Sequence, residues 1–137
     1  MYSKRLISMR IYCCGCKGKI SARLTNGREI YPHRPDLFKI PFWKCDACRN
    51  YVGCHYKTST PTKPLGVIPT PEVRRIRGKL HKLIDPVWKE WGHSRSKVYK
   101  AISKELGYSY HSGNVFSTEE AKTIYDIVTY LRNNVWR

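Results

Sequence analysis

Acid is what this chain is short of. Its 137 residues carry 26 lysines and arginines against 10 aspartates and glutamates, a formal net charge of +16. Long apolar runs are missing too: no stretch approaches the length of a membrane span, and several shorter candidates hold Lys or Arg. The first residues, Met1 to Arg10, show neither a long apolar core nor a small-residue cleavage site. The expectation is therefore a soluble, reducing, cytoplasmic setting, with no membrane and no small-molecule substrate as partner. No closely spaced His pair follows a Cys pair, which excludes the two-Cys, two-His finger.

What the chain does have is six cysteines, four of them in Cys-x-x-Cys pairs, Cys13 with Cys16 and Cys45 with Cys48. Two such pairs supply the four thiolates of a tetrahedral zinc site, because a two-residue gap lets one tight turn aim both sulfurs at one metal. A disulfide framework would need an oxidising compartment, and a thioredoxin-like pair would need to open a helix after a strand. Strand-like residues flank the second pair on both sides, so the spacing predicts one structural zinc. Cys14 is too close to Cys16 to share the metal and reads as a spare thiol. Gly15 and Gly18 are expected to supply the positive φ of the first knuckle.

Taken in order, Met9 to Tyr12 reads as a strand after a short basic lead-in. Lys19 to Leu24 and Arg28 to Tyr31 flank Asn26-Gly27, the strongest short hairpin signal. Pro32, Pro35 and Pro41 bound a rigid loop before the second knuckle. Residues 1–57 thus predict a zinc ribbon, and residues 58–71, rich in Thr and Pro, a semi-rigid connector. Residues 72–137 predict a basic three- or four-helix bundle, making the whole an α+β chain. Its first helix opens at Thr70-Pro71, buries Val73, Ile76, Leu80 and Leu83, and ends at Asp85-Pro86. Val87 to Trp91 reads as a short helical turn. Ser94 caps a helix through Leu106 that stops at Gly107. Ser117-Thr118-Glu119-Glu120 is a capping box for a last helix burying Ala121, Ile124, Tyr125, Val128 and Leu131.

The strings Tyr31-Pro-His-Arg-Pro-Asp-Leu37, Phe42-Trp-Lys-Cys-Asp-Ala-Cys48 and Tyr51-Val-Gly-Cys-His55 resemble those of the small zinc-finger-containing domain family of bacterial and phage genomes. Pro64-Leu-Gly66, the Arg74 to His81 helix, Asp85-Pro-Val-Trp88 and His111-Ser-Gly113 extend the likeness from about Cys13 to Tyr125. The resemblance implies zinc at Cys13, Cys16, Cys45 and Cys48 and a phage or prophage origin; it implies no particular activity. Two departures stand out. The stretch before Pro64 is longer than in the family, and Cys14 replaces a more usual apolar or aromatic residue.

The basic excess is shared evenly by the halves on either side of Tyr56, so it belongs to the body of the chain. Nucleic acid, DNA or RNA, is the first partner such a surface suggests. Arg74, Arg75, Arg77, Lys79 and Lys82 form the leading phosphate-contact candidate, with Arg95 and Lys97 on the next helix. The bland alternative is an ordinary solvated basic face. Tyr31, Phe42, Trp43, Tyr51 and Tyr56 are candidate base-stacking rings, with Trp43 assigned to the core. A helix-turn-helix from the last two helices is disfavoured by the long Gly107 to Phe116 connection and by Glu119 and Glu120.

The sequence therefore predicts a non-enzymatic, phage-type nucleic-acid-binding protein. The runner-up is an interaction protein that occupies a host polymerase or defence complex; a ribonucleoprotein component is a third possibility. His33, Cys54 and His55 are secondary site candidates. Cys54-His55 would give a fifth or replacement ligand or, with His33, a second site, against the structural reading of Cys54 as a buried small hydrophobe. In a nuclease of the His-Asn-His type His33 and Asp36 would be base and ligand, but the helix such a site expects after Cys48 is missing.

Overall fold

The structure, a computed structural model, describes residues 7–136. Residues 1–6 of the expected lead-in lie outside the described residues. The chain is α+β and divides after Thr70 into two compact units.

The first unit is a four-stranded antiparallel meander. Strands β1 (Ser8–Cys13), β2 (Gly18–Asn26), β3 (Pro41–Lys44) and β4 (Tyr51–Gly53) pair in chain order. Side chains alternate across a sheet, and cross-strand partners share a face. Ile11 opposite Ile20, Leu24 opposite Trp43, and Trp43 opposite Val52 therefore make one apolar face. Cys13, Ala22, Cys45, Cys54 and Ile68 complete that core, with Trp43 only 2% exposed.

The opposite face is polar and aromatic. Arg23 forks onto both Glu29 and Asp46, and Lys44 adds a 2.8 Å bond to Glu29. Hydrogen bonds from Arg23, Lys44 and Thr25 hold the Glu29 carboxyl well below the usual carboxylate range. Tyr31, Phe42 and Tyr51 pack edge to face with centroids 5.7 to 5.8 Å apart, and the two tyrosine hydroxyls meet at 2.6 Å.

Asn26-Gly27 does not turn a hairpin. Asn26 is extended and caps a one-turn helix, α1 (Gly27–Ile30), accepting from the Arg28 amide. The chain returns through a 3₁₀ turn at Pro35–Leu37, so β2 pairs with β3 and not with Arg28 to Tyr31.

Within the Pro- and Thr-rich stretch of residues 58–71, residues 62–68 are bound to the sheet. Leu65 donates to the Gly53 carbonyl, His55 donates to Lys63, and the Trp43 indole N–H reaches the Thr62 carbonyl at 2.7 Å. Ile68 is completely buried; it donates to Tyr12 and accepts from Cys14. The stretch thus occupies backbone groups along both outer strands, which would otherwise be left unpaired.

The second unit contains α2 (Pro71–Lys89), α3 (Arg95–Leu106) and α4 (Thr118–Asn134) around Leu80, Ile84, Val87, Val98, Ile102, Ile124, Val128 and Leu131. The caps expected of α3 and α4 form. Ser94 accepts from Lys97 and Gly107 closes α3 at φ 90°, while Ser117 accepts from Glu120. Helix α2, however, runs straight through Pro86. The proline withholds an amide and its ring crowds the preceding turn, but Ile84 and Val87 on either side are completely buried, which favours continuing the helix. Tyr125, expected inside, is 45% exposed, because Ala121, Ile124, Val128 and Leu131 already fill the narrow inner stripe. No helix among the described residues is long and apolar enough to cross a membrane.

Candidate metal centre

Both knuckles are hairpin tips. One joins β1 to β2 and the other β3 to β4, so the meander delivers them to the same end of the sheet. Each is built alike. The carbonyl of the first cysteine accepts from the residue after the second: Lys17 to Cys13 at 2.8 Å, Arg49 to Cys45 at 2.7 Å. Lys17 (φ 59°) and Arg49 (φ 67°) hold the left-handed position that makes this closure, so the positive φ expected of Gly15 and Gly18 falls elsewhere. Gly15 serves a different end: a Cβ there would lie 2.7 Å from Asn50 Nδ2 and 3.1 Å from Cys48 Sγ. Its bareness lets the two tips meet. Arg23 fixes the second tip from the sheet by holding Asp46.

The sulfurs of Cys13, Cys16, Cys45 and Cys48 all lie within 4.8 Å of one another. Cys13 is 3.3 Å from Cys48, and Cys16 is 3.6 Å from Cys45. A zinc–thiolate tetrahedron with bonds of ~2.3 Å has edges of ~3.8 Å, so the cluster fits one zinc ion. The amides of Gly15 and Cys16 point at the Cys13 sulfur, those of Ala47 and Cys48 at the Cys45 sulfur, and Asn50 donates to Cys48 at 3.2 Å. Such N–H donors orient thiolates and stabilise their charge.

Burial, then contact with Cys48 and Cys45, pushes the Cys13 thiol far above its ordinary value. Burial also opposes ionisation of Cys45, but hydrogen bonds from the Cys48 amide and from the Cys48 and Cys16 thiols outweigh it and lower its pKa. Four thiolates this close need a divalent cation among them. Four protein ligands leave no position for water, so the zinc is structural.

A profile of the zinc-finger-containing domain family matches residues 9–130, nearly the whole chain. The chain belongs to this family. No curated protein and no solved structure matches it.

Within this zinc-finger domain the remaining candidates are dispersed. His33, Cys54 and His55 stand outside the cysteine cluster, which is the one converging metal-ligand group among the described residues. Cys54 is buried beside Pro64, and burial raises its thiol; the Asp36 carboxylate is bound by Arg34. Of the basic residues on α2, Arg77 is turned inward and donates twice to the Val115 carbonyl, and Arg74 is half-buried. Arg75, Lys79 and Lys82 are exposed, as is Lys97. Arg95 stacks on Tyr99 and Trp88, 4.6 and 5.5 Å from the ring centroids. Trp43 and Phe42 are buried, and Tyr31 and Tyr51 are committed to their ring triad, which leaves Tyr56 as the exposed ring of the five.

Sequence reasoning missed Lys17, Arg49 and Asn50. The signal was present: each knuckle reads Cys-x-x-Cys, then a basic residue, then Gly18 or Asn50.

Proposed function

We propose that this protein binds nucleic acid, with zinc organising the ribbon and helix α2 contacting the phosphate backbone. One observation carries the reading: Arg75, Lys79 and Lys82 recur at i, i+4 and i+7 along α2, exposed and without an ion pair among the described residues. A row at that spacing lines one face of a helix, opposite the buried stripe of Val73, Leu80, Ile84 and Val87. Charge partition supports it. Acids outnumber cations on α4 (Glu119, Glu120 and Asp126 against Lys122 and Arg132), while α2 and α3 are strongly basic. In the first unit every acid is bound by a cation: Glu29 and Asp46 by Arg23, Asp36 by Arg34. Many cations near few free acids attract a polyanion by counterion release. A phage setting rests on the family resemblance of the sequence alone.

The test is fluorescence anisotropy of the zinc-loaded protein with labelled DNA duplex, single-stranded DNA and RNA across a salt series. Binding should weaken steeply with salt. The Arg75→Gln, Lys79→Gln, Lys82→Gln triple variant should bind more weakly, its log–log salt slope shallower by about 0.9 for each phosphate no longer neutralised. No binding by the unaltered protein at low salt would sink the reading. So would an unchanged triple variant.

A further inference from the structure

We infer that the outer face of α2, centred on Gly78, is a close-approach surface for the backbone of double-stranded DNA. This deepens the nucleic-acid reading above and rests on it. Glycine is among the poorest helix formers, and Gly78 sits in the interior of a long helix. Neither usual structural reason accounts for it. A Cβ built at Gly78 meets nothing within 4 Å, and its φ is not in the left-handed region occupied by Gly92 and Gly107. Gly27 shows the contrast, since a Cβ there would collide with Leu37. A local rule broken without any gain to the fold points outward, to something that approaches the chain.

The surroundings of Gly78 say what approaches. Helix neighbours lie three and four residues away, and for Gly78 these are Arg74, Arg75, His81 and Lys82, with Lys79 beside it. A bare stretch of backbone is flanked by the exposed row of Arg75, Lys79 and Lys82. The nearest acid along this side, Asp85, is engaged by His81 and Lys89 at 3.8 and 3.9 Å. No aromatic side chain belongs to the row, so it offers no stacking platform for the unpaired bases of a single strand. A helix about 10–12 Å across fits the major groove of B-form DNA, about 12 Å wide, but not the deep, narrow major groove of A-form RNA. With no side chain at Gly78, a phosphate backbone can lie against the helix while Arg75, Lys79 and Lys82 reach it together. The occupant is duplex DNA.

The experiment compares Gly78→Ala and Gly78→Gln with the unaltered zinc-loaded chain, in thermal melts and in binding to a labelled DNA duplex, an RNA duplex and a single strand. The melting temperature of Gly78→Ala should rise, while its duplex-DNA affinity falls roughly threefold and that of Gly78→Gln roughly tenfold. A residue kept for the fold would show the reverse on melting, and a lowered melting temperature for Gly78→Ala overturns the inference. Unchanged DNA binding by both variants overturns it too, and leaves the nucleic-acid reading standing. Tighter binding of the unaltered chain to the RNA duplex or to the single strand overturns the choice of duplex DNA. Failure of the unaltered chain to bind any of the three overturns the underlying reading itself.

Discussion

At Gly27 a methyl group has nowhere to go. A Cβ there would sit 1.8 Å from the Leu37 carbonyl oxygen, a backbone atom held in place by the turn that begins at Pro35. The Gly27 amide also donates to Ile40 at 2.9 Å, so the residue is locked between α1 and the returning loop. Gly27→Ala should therefore destabilise the zinc-loaded protein by about 3 kcal/mol, through forced displacement in a packed region. Urea unfolding of the two proteins measures it, and a loss below about 1 kcal/mol would show that the loop yields. The same residue explains what the sequence concealed. Asn26-Gly27 carries the signature of a tight hairpin, yet Asn also caps helices and Gly also permits close approach. Which use applies is decided by Leu37, a partner that no local pattern names. The four zinc ligands were legible for the opposite reason: Cys-x-x-Cys holds its own geometry within one turn, and only the meeting of the two turns is a matter of fold.

Among the elements, α3 and α4 were legible to the residue at their N-caps, because Ser94 and Ser117 act on amides within their own first turn. Helix α2 was not, and Pro86 is the reason. The expected stop at Asp85-Pro86 follows from local sterics, but the core on either side of the proline overrides them. Tertiary support is visible at the neighbouring turn. Arg132, from α4, donates to the Leu83 carbonyl at 2.6 Å and stacks on Trp91 with its guanidinium 4.7 Å from the ring centroid. It thereby supplies a donor at the turn the proline disturbs and covers the indole of the next. Arg132→Met keeps the aliphatic bulk and removes both interactions. It should cost about 1–2 kcal/mol, the sum of a lost charge-assisted hydrogen bond and a missing cation–π interaction. The melting transition of the helices should fall accordingly; an unchanged transition would mean that α2 tolerates Pro86 without help from α4. The Pro- and Thr-rich stretch was illegible on similar grounds. Its composition reads as linker, and only the unpaired edges of a sheet formed elsewhere make it part of the ribbon.

For the molecule as a whole, the two units differ in what holds them together. The second has an apolar core of its own, from Leu80 to Trp136. The first has a smaller one in which two of the buried residues, Cys13 and Cys45, are zinc ligands. A unit with so small an apolar core is marginal by itself, and the free energy of metal binding becomes folding free energy. Removing zinc with a strong chelator should therefore unfold the ribbon and spare the helices. Hydrogen exchange followed residue by residue resolves the two. Amides in Ser8–Cys13, Gly18–Asn26 and Pro41–Lys44 should lose protection on chelation, while those in α3 and α4 keep theirs. Acidification should act in the same order, because zinc requires deprotonated thiolates and protons displace it. Replacing Cys45 by Ser should reproduce the chelated pattern with zinc still in the buffer. Loss of protection in the helices at the same chelator concentration would show that the units fold as one, and protection retained in the strands would show that the ribbon stands without its metal.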